Sequence, residues 1–207
     1  MLVYQMSNLK VTTVFLLLTA FLFSCKSELN EMRPNIVFIL CDDLGYGEIS
    51  ALNVNPDVGK IETPNVDRLV SEGMTFTDMH SGSSVCTPTR YGLLTGRYAW
   101  RTKLQSGVVQ GHAPCLIDSQ TLTIAEMLKE MGYTTGIVGK WHLNYIYADP
   151  KTGEKLAEKH KIGPPVNSII KDGPLDHGFD YFYGYHHSGD MQTVSENAAS
   201  GRQNRIA

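Results

Sequence analysis

Asn35-Ile-Val-Phe-Ile-Leu-Cys-Asp-Asp43 is the stretch on which the fold turns. Ile36–Leu40 is an unbroken apolar run with β-branched members and no polar residue to mark a wet face. It therefore predicts a central strand buried on both sides, as in a parallel sheet. Acidic residues follow at once, and Asp42-Asp43-Leu-Gly-Tyr-Gly47 predicts a loop at the strand's C-terminal end, where open α/β sheets gather ligands. Two adjacent carboxylates repel each other unless something positive lies between them. A hard divalent cation with oxygen ligands answers that need, and so does an ordinary solvated turn.

Working outward, Thr63-Pro-Asn-Val-Asp-Arg-Leu-Val-Ser-Glu-Gly73 carries a helix signature. Thr63 can cap, Pro64 suits the first turn, Val66, Leu69 and Val70 share a face, and Gly73 stops the helix. Met74–Met79 alternates like a strand. A second helix is expected to open near Thr87 or Pro88 and run to about Thr95, and a third to span Thr121–Met131. Tyr133–Val138 reads as the next strand, ending in Gly139-Lys-Trp-His142. From Tyr145 to Asp172 the chain is polar and reads as an insertion over the surface. Strands alternating with helices predict an α/β domain with a largely parallel central sheet flanked by helices.

The 207 residues are 42% hydrophobic, enough for a full core, and the net charge of −3 lacks the basic excess of a nucleic-acid binder. The beginning is of another kind. Lys10 precedes an uncharged apolar run from Val11 to Phe23, too short to span a membrane comfortably and right for a secretion signal. It ends in Leu22-Phe23-Ser24-Cys25, which resembles the lipobox of bacterial lipoproteins, whose cysteine becomes the acylated first residue. The expected organisation is a signal over 1–24, a linker over 25–33 and a catalytic segment over 34–207. The expected location is the bacterial periplasm or cell surface, with the membrane as partner through lipidated Cys25. Of the remaining cysteines, Cys41, Cys86 and Cys115 are odd in number, irregular in spacing and without a Cys-x-x-Cys pair. That argues against a disulfide framework or a zinc site and leaves room for one chemical residue.

Ser83-Ser-Val-Cys-Thr-Pro-Thr-Arg-Tyr-Gly-Leu-Leu-Thr-Gly-Arg-Tyr98 marks Cys86 as the candidate. With Pro88 in the first turn, Cys86 lies at a helix N-terminus, where free N–H groups favour negative charge, and Arg90 returns to the same face one turn later. A reactive thiolate and an inert buried cysteine are both compatible with that placement. Lys140 and His142 lie two apart, so an extended backbone points both to one side. Such a pair suits holding an anion while an imidazole moves a proton.

Taken together, three features resemble the sulfatase family, of the alkaline-phosphatase-like superfamily. They are the strand with Asp42-Asp43, the Cys86-x-Pro88-x-Arg90 string extended by Leu94-Thr95-Gly96-Arg97, and Gly139-Lys140-Trp141-His142-Leu143. Leu175-Asp-His-Gly-Phe-Asp-Tyr-Phe-Tyr-Gly184 is similar to a further stretch of that family. The resemblance implies that Cys86 is oxidised to formylglycine by a formylglycine-generating maturation enzyme that reads the Cys-x-Pro-x-Arg string. Thr89 stands where the commonest pattern has Ser. The hydrated aldehyde would attack the sulfur of a sulfate ester in line, and loss of a proton from its second hydroxyl would expel sulfate. The resemblance further implies calcium held in part by Asp42, Asp43 and the residue derived from Cys86. Arg90 would steady the hydrated aldehyde, Lys140 would neutralise the sulfate and His142 would handle the proton. Trp141 reads as packing.

The same resemblance implies further calcium and sulfate ligands, for which Asp190, Gln192, His186 and His187 lack the matching context. The chain accordingly reads as the N-terminal part of a sulfatase acting on a sulfated carbohydrate or aryl sulfate, with an incomplete sheet and exposed apolar surface. Two other readings stay open: a phosphodiesterase or phosphonate hydrolase of the same superfamily, and a truncated, non-catalytic glycan-binding lipoprotein.

Overall fold

The computed structural model describes residues 33–55, 57, 61–110, 113–156 and 168–185. The segment expected to be a signal, Cys25, His186, His187, Asp190 and Gln192 lie outside the described residues. The chain divides into two compact units, Met1–Cys41 and Asp42–Ala207.

In the first unit, residues 33–41 run without regular secondary structure, and Ile36–Leu40 are exposed, Val37 to 82%. The expected central strand over 35–40 is therefore not formed. An apolar run states that a segment can be buried, but a parallel strand exists only through neighbours that take up its N–H and C=O groups.

In the second unit the helices follow their caps. Helix α1, Pro64–Glu72, opens on proline and closes where the Gly73 N–H bonds to the Leu69 carbonyl at 2.9 Å. Helix α2, Cys86–Thr95, begins at the cysteine itself. It ends on Gly96, whose φ of 66° is the left-handed conformation that glycine adopts without a steric penalty. Helix α3, Ile124–Glu130, starts from a reciprocal capping box. Thr123 Oγ1 accepts the Glu126 N–H at 3.1 Å, and a Glu126 carboxylate oxygen accepts the Thr123 N–H at 2.7 Å. Met74–Met79, expected as a strand, is irregular.

Strand β1, Gly136–Lys140, pairs in parallel with β4, Tyr181–Tyr185, with Ile137 opposite Phe182 and Val138 opposite Tyr183. Phe182 faces the core, while Val138 and Tyr183 are exposed. Gly184 is required for this approach, since a Cβ there would collide with the Gly139 carbonyl. Strand β2, Ile146–Ala148, pairs antiparallel with β3, Ile169–Lys171. Among the described residues the sheet content is thus two two-stranded sheets, one parallel and one antiparallel, in place of a single large parallel sheet. The stretch read as a surface insertion supplies both strands of the second sheet and buries Tyr145 and Ala148. The core gathers Tyr91 of α2, Ile117, Trp141, Leu143, Tyr145 and Phe182.

One ion pair ties α3 to the sheet. Lys129 Nζ lies 2.7 Å from Asp180, which also accepts the Thr135 N–H at 2.9 Å, and together these hold the Asp180 carboxyl down at about 2. A carboxyl depressed by folding stabilises the fold above its unfolded pKa, and that contribution disappears as pH falls through the folded value. Urea melts of wild type and Asp180→Asn should therefore differ at neutral pH and converge between pH about 4 and about 2. A gap that persists unchanged to the acid end would contradict the assignment.

Candidate active site

Helix α2 is the base of the site. Thr87 and Arg90, one turn apart, share a face, and that face lies along the backbone that leaves β1. Thr87 Oγ1 donates to the His142 carbonyl at 2.9 Å, and an Arg90 guanidinium N–H donates to the Lys140 carbonyl. Residues 140 and 142 thereby present their carbonyls to helix positions three apart.

Arg90 reaches further with its second amino group, Nη2, which lies 2.9 Å from Asp42 Oδ2. Lys140 Nζ reaches the same oxygen, also at 2.9 Å. Hydrogen bonding from Lys140 first, and then from Arg90, outweighs burial and holds the Asp42 carboxyl far below the usual carboxylate range. Four sequence-derived candidates thus fall into one cluster: Asp42, Arg90 and Lys140 by direct contact, and Cys86 by its place one turn before Arg90. Asp43 is next in the chain and exposed.

His142 sits differently from expectation. Its φ of 53° breaks the extended alternation, and its Nε2 lies 3.1 Å from the Val109 carbonyl while Lys140 turns to Asp42. The two side chains therefore do not simply share one side of a strand. They are related through α2, because Thr87, which supports the His142 carbonyl, also accepts the Val109 N–H at 3.3 Å. Thr87 is fully buried and was not singled out from the sequence. Thr89 donates to the Ser83 carbonyl at 2.8 Å, a bond that a serine hydroxyl in the same place could also make. Trp141 is 1% exposed and packs.

The cysteines separate cleanly. Cys115 is buried and its thiol is pushed up to about 12, chiefly by desolvation, which removes it as a thiolate nucleophile. Cys41 is exposed, at the end of the irregular stretch 33–41. Cys86 is half-buried at the first residue of α2.

Two observations bear on the groups this site is expected to take. Arg90 Nε is a buried donor with no hydrogen-bond partner among the described residues. It fits an oxygen-bearing group, such as a hydrated aldehyde or a sulfate, better than a thiol. Asp42 and Asp43 have the hard oxygen chemistry of calcium ligands, and Asp42 is held ionised, so both fit as part of a calcium shell. Among the described residues no cluster of three or more His, Cys, Asp and Glu side chains completes such a shell.

Comparison with known proteins bears on the family of the chain. A stretch 41% identical over 152 residues is shared with N-acetylgalactosamine-6-O-sulfatase of Bacteroides thetaiotaomicron, covering 73% of this chain and 26% of that protein. Arylsulfatase G of Rattus norvegicus is 36% identical over 172 residues, covering 82% and 27%. A solved structure described under metabolism of multiple glycosaminoglycans by Bacteroides thetaiotaomicron superposes with a TM-score of 0.59 at 39% identity, covering 74% of this chain and 28% of that one. The chain spans about a quarter of the length of these relatives. The sulfatase family model matches residues 34–201, and the chain belongs to the sulfatase family.

Proposed function

We propose that the chain carries the nucleophile and the first sulfate-binding groups of a sulfuric ester hydrolase, with Cys86 matured to formylglycine. The observation that carries this reading is the convergence of Arg90 and Lys140 on one oxygen at 2.9 Å, one helical turn from Cys86. Two cations that meet on one oxygen form a site for an oxyanion.

Formylglycine, when hydrated, supplies a hydroxyl nucleophile and a second hydroxyl whose deprotonation lets sulfate leave. Calcium, when bound by Asp42 and Asp43, adds two positive charges to a cluster in which Arg90 and Lys140 are otherwise balanced by the two carboxylates. Arg90 would orient the group at position 86, its fork fixed by the Lys140 carbonyl and Asp42. Lys140 faces the sulfate oxygens, and His142, set by Val109 and Thr87, is the proton-handling group.

The substrate class we propose is a sulfated glycan, on the strength of the named activity of the bacterial relative. The lipobox-like Leu22–Cys25 supports an exported, lipid-anchored protein that meets such glycans outside the cytoplasm. The test is co-production with a formylglycine-generating enzyme, digestion, and weighing of the Cys86 peptide. A loss of mass equal to the change from thiol to aldehyde, trapped by a carbonyl reagent and absent in Cys86→Ala, is the expected outcome. An unmodified Cys86 beside a converted control sulfatase would overturn the proposal.

A further inference from the structure

Lys140 and His142 flank Trp141, and the backbone that carries them is not at ease. His142 and Asn144 both hold left-handed φ values, 53° and 68°, that cost energy in residues other than glycine unless surrounding contacts impose them. Part of the restraint is backbone. The Trp141 N–H donates to the Tyr185 carbonyl at 3.0 Å, and the Leu116 N–H donates to the Leu143 carbonyl at 2.8 Å. Thr87 and Arg90 hold the His142 and Lys140 carbonyls from α2, and the Trp141 ring adds a restraint from within, its Nε1–H donating to the Asn144 carbonyl at 2.8 Å and closing the turn on itself.

The ring is held in its turn by the segment Asp172–Asp180. His177, 3% exposed, stacks on it with centroids 6.3 Å apart and planes at 23°, and Phe179 meets it edge-on at 6.3 Å and 89°. His177 is fixed at two ends. Its Nε2 lies 3.2 Å from Asp172 Oδ1, and its carbonyl accepts the Thr123 hydroxyl at 2.9 Å. Asp172 is anchored by the Cys115 N–H on Oδ2 at 2.6 Å.

We infer that His177, through the stacking of its ring on Trp141, is a positioning residue that sets the Lys140–Asn144 turn. This inference rests on the proposed sulfate-binding role of Lys140 for its functional consequence, but the ordering of the turn is measurable without it.

The full chain, His177→Ala and His177→Phe are compared by peptide-level hydrogen exchange and by calorimetric titration with inorganic sulfate. Alanine removes the stacked ring, and phenylalanine keeps it while giving up the bond to Asp172, which is solvated enough to lose a partner. Alanine is expected to speed exchange across Gly139–Tyr145 by about tenfold and weaken sulfate binding by a similar factor, leaving α1 unchanged. Phenylalanine is expected to recover most of both. The inference is overturned if alanine leaves Gly139–Tyr145 exchange unaltered, if exchange rises equally through α1, or if phenylalanine behaves as alanine does. Localised exchange with no sulfate binding in the parent chain would support the positioning role and count instead against the sulfate reading of Lys140.

Discussion

Arg90→Met is expected to lower sulfate-ester turnover, counted per formylglycine formed, by about 10²–10³-fold, the usual effect of deleting one preorganised charge donor. The side chain is mostly buried, and its two amino groups do separate things, one on the Lys140 carbonyl and one on Asp42. Methionine keeps the apolar stem and removes both. Lys140 then holds Asp42 alone, and its carbonyl loses a donor. The stability cost should be modest, about 1–3 kcal/mol, because Asp42 remains partly solvated and keeps its other cation. Arg90→Lys separates charge from geometry. An ammonium restores the positive charge but cannot span two acceptors as a planar fork does, so turnover should stay within about tenfold of the methionine variant. Because Arg90 also belongs to the string proposed to be read during maturation, conversion at Cys86 is measured by peptide mass for each variant. Turnover per converted site within tenfold of wild type would remove Arg90 from the proposed machinery.

What made Arg90 and Lys140 legible in the sequence was local. A cysteine followed by Pro88 and Arg90 places three groups on one helix, and helices announce themselves by caps and period. Gly73 and Gly96 end α1 and α2 as turn chemistry requires, and α2 opens at Cys86, one or two residues before the expected Thr87 or Pro88. Helix α3 is shorter than the Thr121–Met131 reading, although the Thr123-x-x-Glu126 capping box was there to fix its start. Strands are another matter, because they are completed by partners far away in sequence. Ile36–Leu40 had the composition of a central strand and forms none. Tyr181–Tyr185 had the aromatic content of a strand and forms one, forty-odd residues after the strand it pairs with. His142 was named from the sequence, but the direction of its side chain escaped for a related reason. Its left-handed backbone reverses the direction that alternation assigns, and no residue preference of histidine forecasts that.

Thr87 escaped the sequence reading because a threonine in the first turn of a helix is ambiguous until its partners are known, and they lie 55 and 22 residues away. Its hydroxyl donates to the His142 carbonyl and accepts the Val109 N–H, while His142 Nε2 returns to the Val109 carbonyl. The three residues form a closed loop of hydrogen bonds with Thr87 fully buried at its centre. Thr87→Val keeps the shape and deletes the hydroxyl, leaving one buried carbonyl and one buried N–H unpaired at about 1–3 kcal/mol each. The expected loss is therefore about 2–6 kcal/mol, a large fraction of the stability of a domain this size. Thr87→Ser makes the opposite trade. It keeps both bonds and loses a buried methyl, for about 1 kcal/mol. If burial alone mattered, serine would be the worse variant, so the order of the two in a urea melt decides between hydrogen bonding and packing. The functional readout should follow the same order: valine frees the His142 carbonyl and Val109, so the imidazole loses its fixed direction. Valine equal to or more stable than serine would show that α2 is held against residues 140–142 by shape, and that Arg90 carries the polar connection alone.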